Sequence, residues 1–381
     1  MKILIACDSF KDALNATEVC RSIERGWRLA DPSVSATIFP LADGGEGTFA
    51  ILAEHLHLEK IDIVVKDALF RPIKAQYGFN NASKDKNTEG VAFIEMAQAA
   101  GLQLLNKNER NPLKTSTLGV GELINDAKKR GAKKIILAIG GSATNDAGMG
   151  MATALGYGFL DKNGQKLLPV GENLIKIDRI ERGNTIFDTS KIKVEVMCDV
   201  KNPLFGTNGA AYVYTRQKGA TSADIEQLDK GLRHFADKMS AFNGSPFAEG
   251  AGAAGGLGFG AMCFLNAELK SGIDVILDIT HFDKQLIDKD LIITGEGRLD
   301  SQTAQGKLIN GLVERAKKHK IPIIALCGAL EATPQYINDL GLFAAFPIGQ
   351  KPTNLADALA HTGENLEKTM CNIARIFIKE R

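Results

Sequence analysis

The sequence has almost no net charge: 46 lysines and arginines against 45 aspartates and glutamates leave a formal +1. No global basic field is therefore available to recruit nucleic acid or an anionic membrane surface. Metal-binding cysteine spacing is also absent. The six cysteines (Cys7, Cys20, Cys198, Cys263, Cys327 and Cys371) form no C-x-x-C pair, and no histidine cluster accompanies them, which argues against zinc. Their scatter reads as buried thiols in a reducing compartment, so a cytoplasmic protein is expected. No apolar run approaches the roughly 18 residues that a bilayer span requires. The opening MKILIACDSF is interrupted at Asp8 and Lys11. That is too short for a secretory signal and reads as a first buried strand.

The common nucleotide and hydrolase motifs fail in instructive ways. Gly250-Ala251-Gly252-Ala253-Ala254-Gly255 matches G-x-G-x-x-G, but the preceding AFNGSPFAE is turn-rich and lacks the buried strand that a dinucleotide site needs. Gly306-Lys307 looks like the end of a P-loop, yet Ser301 stands where the first glycine belongs and Leu308 where Ser or Thr belongs. Gly140-Gly141-Ser142-Ala143-Thr144 ends in threonine, so it is no nucleophile elbow.

What is present is strand-loop-helix grammar. A length of 381 residues suits two domains, and the 39 glycines cluster where backbone must turn tightly or approach a ligand. Met1–Ala6 is an apolar strand. Asn15 followed by Glu18 is a capping box that opens a helix to about Leu29. Val34–Pro40 is a second strand, then a glycine-rich loop leads to a helix from about Thr48. Asp290–Thr294, Ile321–Cys327 and Phe343–Ile348 repeat the pattern in the last third, with helices over Leu308–His319 and Leu355–Lys379. Between them, 61–65, 74–79, 91–96, 134–140, 195–199 and 211–214 read as strands, 80–90 as a polar loop and 222–240 as a helix. This predicts an α/β protein with one parallel-sheet domain built from both chain ends, 1–65 and 285–381, and a second α/β domain, 66–284, inserted between them. The active site is expected in the cleft between the two.

Polar loops follow the strands: Asp8-Ser9-Phe10-Lys11, Asp43-Gly44-Gly45-Glu46-Gly47, Gly140 to Asp146, Asp199 to Leu204, and Gly295 to Ser301. Ligands of open α/β sheets bind beyond the carboxyl ends of strands. Backbone N–H groups can hold phosphate oxygens, carboxylates can hold magnesium, and lysine or arginine can neutralise charge. Each loop alone is an ordinary turn or helix cap. Together they point to an anionic-ligand site, in a kinase, another hydroxy-acid enzyme, or a non-enzymatic binder of small acids.

The segments CDSFKDALNATEV, PLADGGEGT, AIGGSATNDAGMGMATALG, CDVKNPLFGTNGA, GAGAAGGLGFGA, ELKSGIDVIL and ITGEGRLDSQTAQGK resemble the successive blocks of the glycerate kinase family, the bacterial type I group, in order and over nearly the whole chain. One departure is Cys7, where related sequences often carry proline. The resemblance implies a Rossmann-like domain with an inserted α/β domain, and a phosphotransferase acting on D-glycerate and ATP with Mg2+. It implies phosphoglycerate as product, the 2-isomer favoured and the 3-isomer open. Small molecules are the expected partners, with no nucleic acid or membrane, and a homo-oligomer is left open.

On that reading Lys11 meets phosphates, Asp199 lies near the reacting hydroxyl, and Asp300 completes the catalytic set. Glu296, Asp300 and Asp43 are the metal candidates. Asp8, Ser9, Asp43, Gly44, Gly45, Gly141, Ser142, Thr144, Asn145, Lys270 and Arg298 are candidates for substrate and phosphate binding. Arg110 is the candidate for bidentate contact with the glycerate carboxylate. Lys218 is a further candidate cation, and Asp146 is expected to cap the following helix. The bland reading of Glu296, Arg298 and Asp300 is an ion-pair cluster within one loop.

Overall fold

The computed structural model describes residues 1–378 except 43–46, 81–89, 184–187, 189–190 and 301–306. The candidates Asp43, Gly44 and Gly45 lie outside the described residues. In chain order the strands are β1 (Lys2–Ile5), β2 (Ser35–Ile38), β3 (Glu59–Lys66), β4 (Pro72–Asn80), β5 (Val91–Glu95), β6 (Lys134–Ala138), β7 (Tyr157–Leu160), β8 (Arg179–Arg182), β9 (Lys193–Met197), β10 (Glu268–Lys270), β11 (Leu291–Leu299), β12 (Ile323–Leu330) and β13 (Ala344–Pro347).

The chain divides into two compact units, Met1–His55 with Ile273–Arg381, and Leu56–Gly272. The divisions fall at 55/56 and 272/273 rather than at the expected 65/66 and 284/285. The early division has a clear cause: the stretch read as a strand at 61–65 pairs antiparallel with β4, Glu59 opposite Phe79 through Lys66 opposite Pro72, and so belongs to the second sheet.

In the first unit the order is β13-β12-β11-β1-β2, every neighbour parallel. The apolar run at the start of the chain sits beside the one near residue 292: Ile3 faces Leu291 and Ile5 faces Ile293. The sheet built from both chain ends, expected from the sequence, is therefore observed. Its strands are continuously apolar because both faces are covered. Ile3, Ile5, Ile293, Ile324 and Leu326 are buried with Val19, Ile23 and Trp27 of the helix Ala16–Ala30. That helix opens with the expected capping box, Asn15 accepting from the N–H of Glu18 at 2.9 Å. It packs on the helix Thr362–Ile378 so closely that a Cβ on Gly26 would lie 2.5 Å from the carbonyl of Glu367.

The chain winds outward from β1 to β2 on one side and from β11 to β13 on the other. The strand order thus reverses between β1 and β11, the kind of switch point where α/β sheets open a crevice.

The second unit has a mixed sheet, β10-β9-β6-β5-β4-β3, parallel from β5 to β10 and antiparallel from β3 to β5. A hairpin of β7 and β8 stands apart. The stretch expected as a strand at 211–214 is instead the helix Ala210–Tyr214. Its aromatic and β-branched residues favour a strand by propensity, but it starts straight from Gly209 and packs beside the helix Ser222–Lys238.

Candidate functional site

Within the first unit, two of the candidate loops come together at the switch point. The N–H of Asp8 donates to the carbonyl of Gly295 at 3.3 Å, carrying the contact of β1 and β11 past the end of β1; the stretch expected as a loop from Gly295 is strand up to Leu299, paired with β12. A Cβ on Gly295 would lie 3.2 Å from the Phe10 ring, and one on Gly297 would lie 3.7 Å from the backbone nitrogen of Lys11. The Asp8–Lys11 loop thus rests on the strand that carries Glu296 and Arg298 and ends just before Asp300. Phe10 anchors it, buried against the sheet. Ser9 donates its N–H to Asp8 Oδ1 at 2.6 Å, and the Lys11 side chain is exposed.

Arg298 pairs with Asp300 (Nε to Oδ2, 3.1 Å) and with Glu331 (2.7 Å). This is the ion-pair cluster that the sequence also allowed. Glu296 and Asp300 nonetheless face a common neighbour. The Tyr336 phenol is pushed up by burial first, and then by the charges of both carboxylates. Beside this loop pair lies a cavity of about 350 Å³ lined by Asp8, Ser9, Asn15, Glu18, Arg21 and Glu54. Sequence reasoning chose Asp8 and Ser9 but not Asn15, Glu18 or Arg21. The capping box marked only how the helix starts, not that its first turn borders a cavity.

Within the second unit, the loop after β6 is buried and tightly held. Thr144, Asn145 and Asp146 are inaccessible and Ser142 is nearly so, while Gly140 and Gly141 are exposed. Gly141 takes a φ of +72°, a conformation that favours glycine. Asp146 does cap the following residues. It accepts from the N–H of Gly148 (3.3 Å) and Gly150 (3.1 Å), and from both the N–H and the hydroxyl of Thr117 (2.8 Å each). Burial pushes its carboxyl above the ordinary range, and these bonds pull it back.

A second loop locks this one. The N–H of Ala147 donates to the carbonyl of Gly255 (3.0 Å), and a Cβ on Gly255 would sit 2.1 Å from the carbonyl of Thr144. Ala147 and Ala254 both adopt left-handed φ, 51° and 52°. Such strain in non-glycine residues persists only where the surroundings enforce it.

Lys218 reaches this loop from the short helical turn Arg216–Lys218. Only 2% exposed, it donates to Ser142 Oγ (2.7 Å) and to the carbonyl of Thr144 (2.8 Å). Burial pushes its ammonium down to about 7, partly offset by Asp146. Arg110 lies alongside: Gly219, at φ +93°, fits so tightly that a Cβ there would be 2.2 Å from the Arg110 carbonyl. The structure thus brings Lys218 to Ser142 and Thr144, next to Asn145, with the backbone of Arg110 against Gly219.

Two candidates of this unit have other engagements. Asp199 Oδ1 accepts the N–H of Gly272 at 2.9 Å. Lys270 pairs with Glu195 (3.0 Å) and Glu268 (3.3 Å). Glu195 is shared with Lys134 (2.7 Å) and Lys193 (3.2 Å). Burial raises the Glu195 carboxyl, but the lysines outweigh it and bring it to about 2.

Among the described residues no group of three or more His, Cys, Asp or Glu forms a ready metal cage, and no helix is long and apolar enough to cross a membrane. All the cysteines are free thiols.

A parallel sheet and a mixed sheet, with polar loops at their strand ends, define an α/β protein. A model of the glycerate kinase family matches residues 3–378. The glycerate kinase of Bacillus cereus is 44% identical over 379 residues, covering 99% of this chain and 98% of its own. The glycerate 2-kinase of Escherichia coli is 39% identical, covering 98% and 97%. A crystal structure of a glycerate kinase 2 from Salmonella typhimurium superposes with a TM-score of 0.86 at 38% identity, covering 100% of this chain and 99% of that one. The chain belongs to the glycerate kinase family.

Proposed function

We propose that the protein transfers the γ-phosphoryl group of ATP to D-glycerate, giving ADP and 2-phosphoglycerate. The observation that carries this is the unbroken family match over residues 3–378, with relatives named glycerate kinase covering nearly the whole chain. The 2-position rests on the relative named glycerate 2-kinase. The free thiols suit a reducing cytoplasm.

In the first unit, Lys11 and Arg298 supply positive charge to the phosphates, with Asp8 and Ser9 beside them. One guanidinium has five donors, so Arg298 can keep its carboxylate partners while meeting a phosphate. Glu296 and Asp300, both close to Tyr336, fit magnesium that arrives with the nucleotide, because Mg2+ is usually held by one or two carboxylates together with substrate phosphates. Asp43 is a further metal candidate, and Gly44 and Gly45 candidates for backbone contact with phosphate. When bound, the metal neutralises charge on the transferring phosphoryl group.

In the second unit, Asp199 orients the glycerate hydroxyl and can accept its proton. Gly141, Ser142, Thr144, Asn145 and Arg110 receive an anionic group of a substrate. Lys270 contributes positive charge while remaining paired with Glu195. ADP release measured with ATP and Mg2+, with and without D-glycerate, tests the reading. Glycerate-dependent ADP is expected, and equal ADP in both arms would refute it.

A further inference from the structure

We propose that Lys218 is the cation that receives the carboxylate of glycerate, in a pocket where Asn145 and Thr144 bind the carboxylate and the hydroxyl next to it. The proposal deepens the kinase reading and rests on it.

Lysine is rarely fully buried unless paired with an opposite charge. Lys218 is buried, yet both its hydrogen bonds go to neutral oxygens, of Ser142 and Thr144. An ammonium has three donors, so one remains. The nearby carboxylate, Asp146, is taken up by Thr117, Gly148 and Gly150.

Beside it, Asn145 is completely buried, and neither its Nδ2 nor its Oδ1 has a partner among the described residues. Thr144 Oγ1 and Arg110 Nε are in the same condition. Buried polar atoms without partners are uncommon in native proteins, and each calls for an explanation. Here they belong to Thr144, whose carbonyl accepts from Lys218, to Asn145 next to it in the chain, and to Arg110, which has its backbone against Gly219, the residue after Lys218; together they point to a polar, charged occupant.

Charge and donor chemistry narrow the choice. Lys218 and Arg110 are cationic and Asp146 is anionic, so the surroundings call for one negative charge. A carboxylate matches that, whereas a polyphosphate would add charge that Asp146 repels. The free donors are those of Lys218, Thr144, Arg110 and the Asn145 amide, suited to carboxylate oxygens. The one free amide acceptor, Asn145 Oδ1, suits a hydroxyl proton. A hydroxy acid carries both groups on adjacent carbons. The hydrogen bond from Ala147 to Gly255 and the close packing of Gly255 on Thr144 hold the loop, so little ordering is left to binding. Burial lowers the Lys218 ammonium by more than the charge of Asp146 raises it, consistent with an ammonium only partly compensated.

The test compares wild type with Lys218→Met in steady-state kinetics and in thermal melts with D-glycerate alone. The variant should raise KM for glycerate by about 10- to 100-fold, as expected for loss of a charge-assisted hydrogen bond. KM for ATP should stay within about twofold, and glycerate should no longer raise the melting temperature. An unchanged glycerate KM in a folded variant, or a rise confined to ATP, would overturn the proposal. Should Lys218→Met not fold, Thr144→Val removes only a hydroxyl that bonds to nothing in the described protein. It should weaken glycerate selectively, and unaltered glycerate KM there counts against the pocket. Failure of the kinase reading shows separately, in wild type, as absence of glycerate-dependent ADP.

Discussion

The backbone N–H of Asp8 donates to the carbonyl of Gly295 at 3.3 Å, so the loop after β1 stays beside β11, which runs on to Leu299. Residues almost 290 positions apart are thereby brought close: Asp8, Ser9 and Lys11 from the loop after β1, Glu296 and Arg298 from β11 itself, and Asp300 just past its end. They bring three carboxylates and two cations together, and this contact makes the switch point a candidate site rather than two separate turns.

Asp300→Asn should lower kcat by about 100-fold or more, in line with the loss of a positioned charged group. Lys11→Met should act mainly on KM for ATP. Both side chains sit on strand-end loops, so stability should change by about 1 kcal/mol or less. Steady-state kinetics beside thermal melts decide it. Near-normal kcat in a folded Asp300→Asn protein would move the chemistry elsewhere.

Asp199→Asn separates a structural from a chemical role. The amide oxygen of asparagine can still accept the N–H of Gly272, now 2.9 Å from Asp199 Oδ1. Folding should survive while kcat falls by about 100-fold or more, because an amide cannot accept the hydroxyl proton. A melting temperature that drops while kcat per folded molecule holds would assign Asp199 to structure alone.

Lys218 predicts a pH effect. Its ammonium titrates at about 7 in the folded protein against an ordinary 10.5, so the unfolded chain holds the proton over that window and the folded one does not. The penalty of burying the charge is full below pH 7 and is relieved as pH rises from about 7 towards 10.5. Lys218→Met should flatten that part of the stability profile. Calorimetry at pH 8 in buffers of different ionisation enthalpy should show proton uptake when D-glycerate binds, absent from the variant. Uptake that persists in the variant would place it on another group.

Glu195 predicts the acid limb. Its carboxyl is held at about 2, below the ordinary 4.5, by Lys134, Lys270 and Lys193 acting against burial. A depressed carboxyl contributes stability that is present above pH 4.5 and is lost as pH falls towards 2. Glu195→Gln should lower stability at pH 7 by about 1–3 kcal/mol and reduce the slope between pH 4.5 and 2 in thermal melts. An unchanged slope would shift the acid sensitivity to other carboxylates.

Several features were legible because they are local. The capping box of Asn15 and Glu18 states its own geometry, and Ile- and Leu-rich runs at both chain ends announce a buried parallel sheet. Glycine-rich stretches were harder. The helical stretch Ala253–Leu265, broken by left-handed Ala254, Gly255 and Gly256, carries glycines that propensity counts against, yet Gly258 and Gly260 are needed there, since a Cβ would lie 2.2 Å from the Gly250 carbonyl and 2.3 Å from the Ala147 carbonyl. Lys218 was legible as a candidate cation, but its burial was not. Its burial comes from contacts with Ser142, 76 positions away, and no spacing rule reports such a neighbour. Likewise, nothing around Lys270 in the sequence shows that Glu195 would claim its charge.

The most direct measurement of the central claim is phosphorus NMR of the products after incubation with ATP, Mg2+ and D-glycerate. The account predicts 2-phosphoglycerate and ADP in equal amounts, with free phosphate at the level of a control without glycerate. ADP and free phosphate without a phosphoglycerate signal would contradict phosphoryl transfer to glycerate.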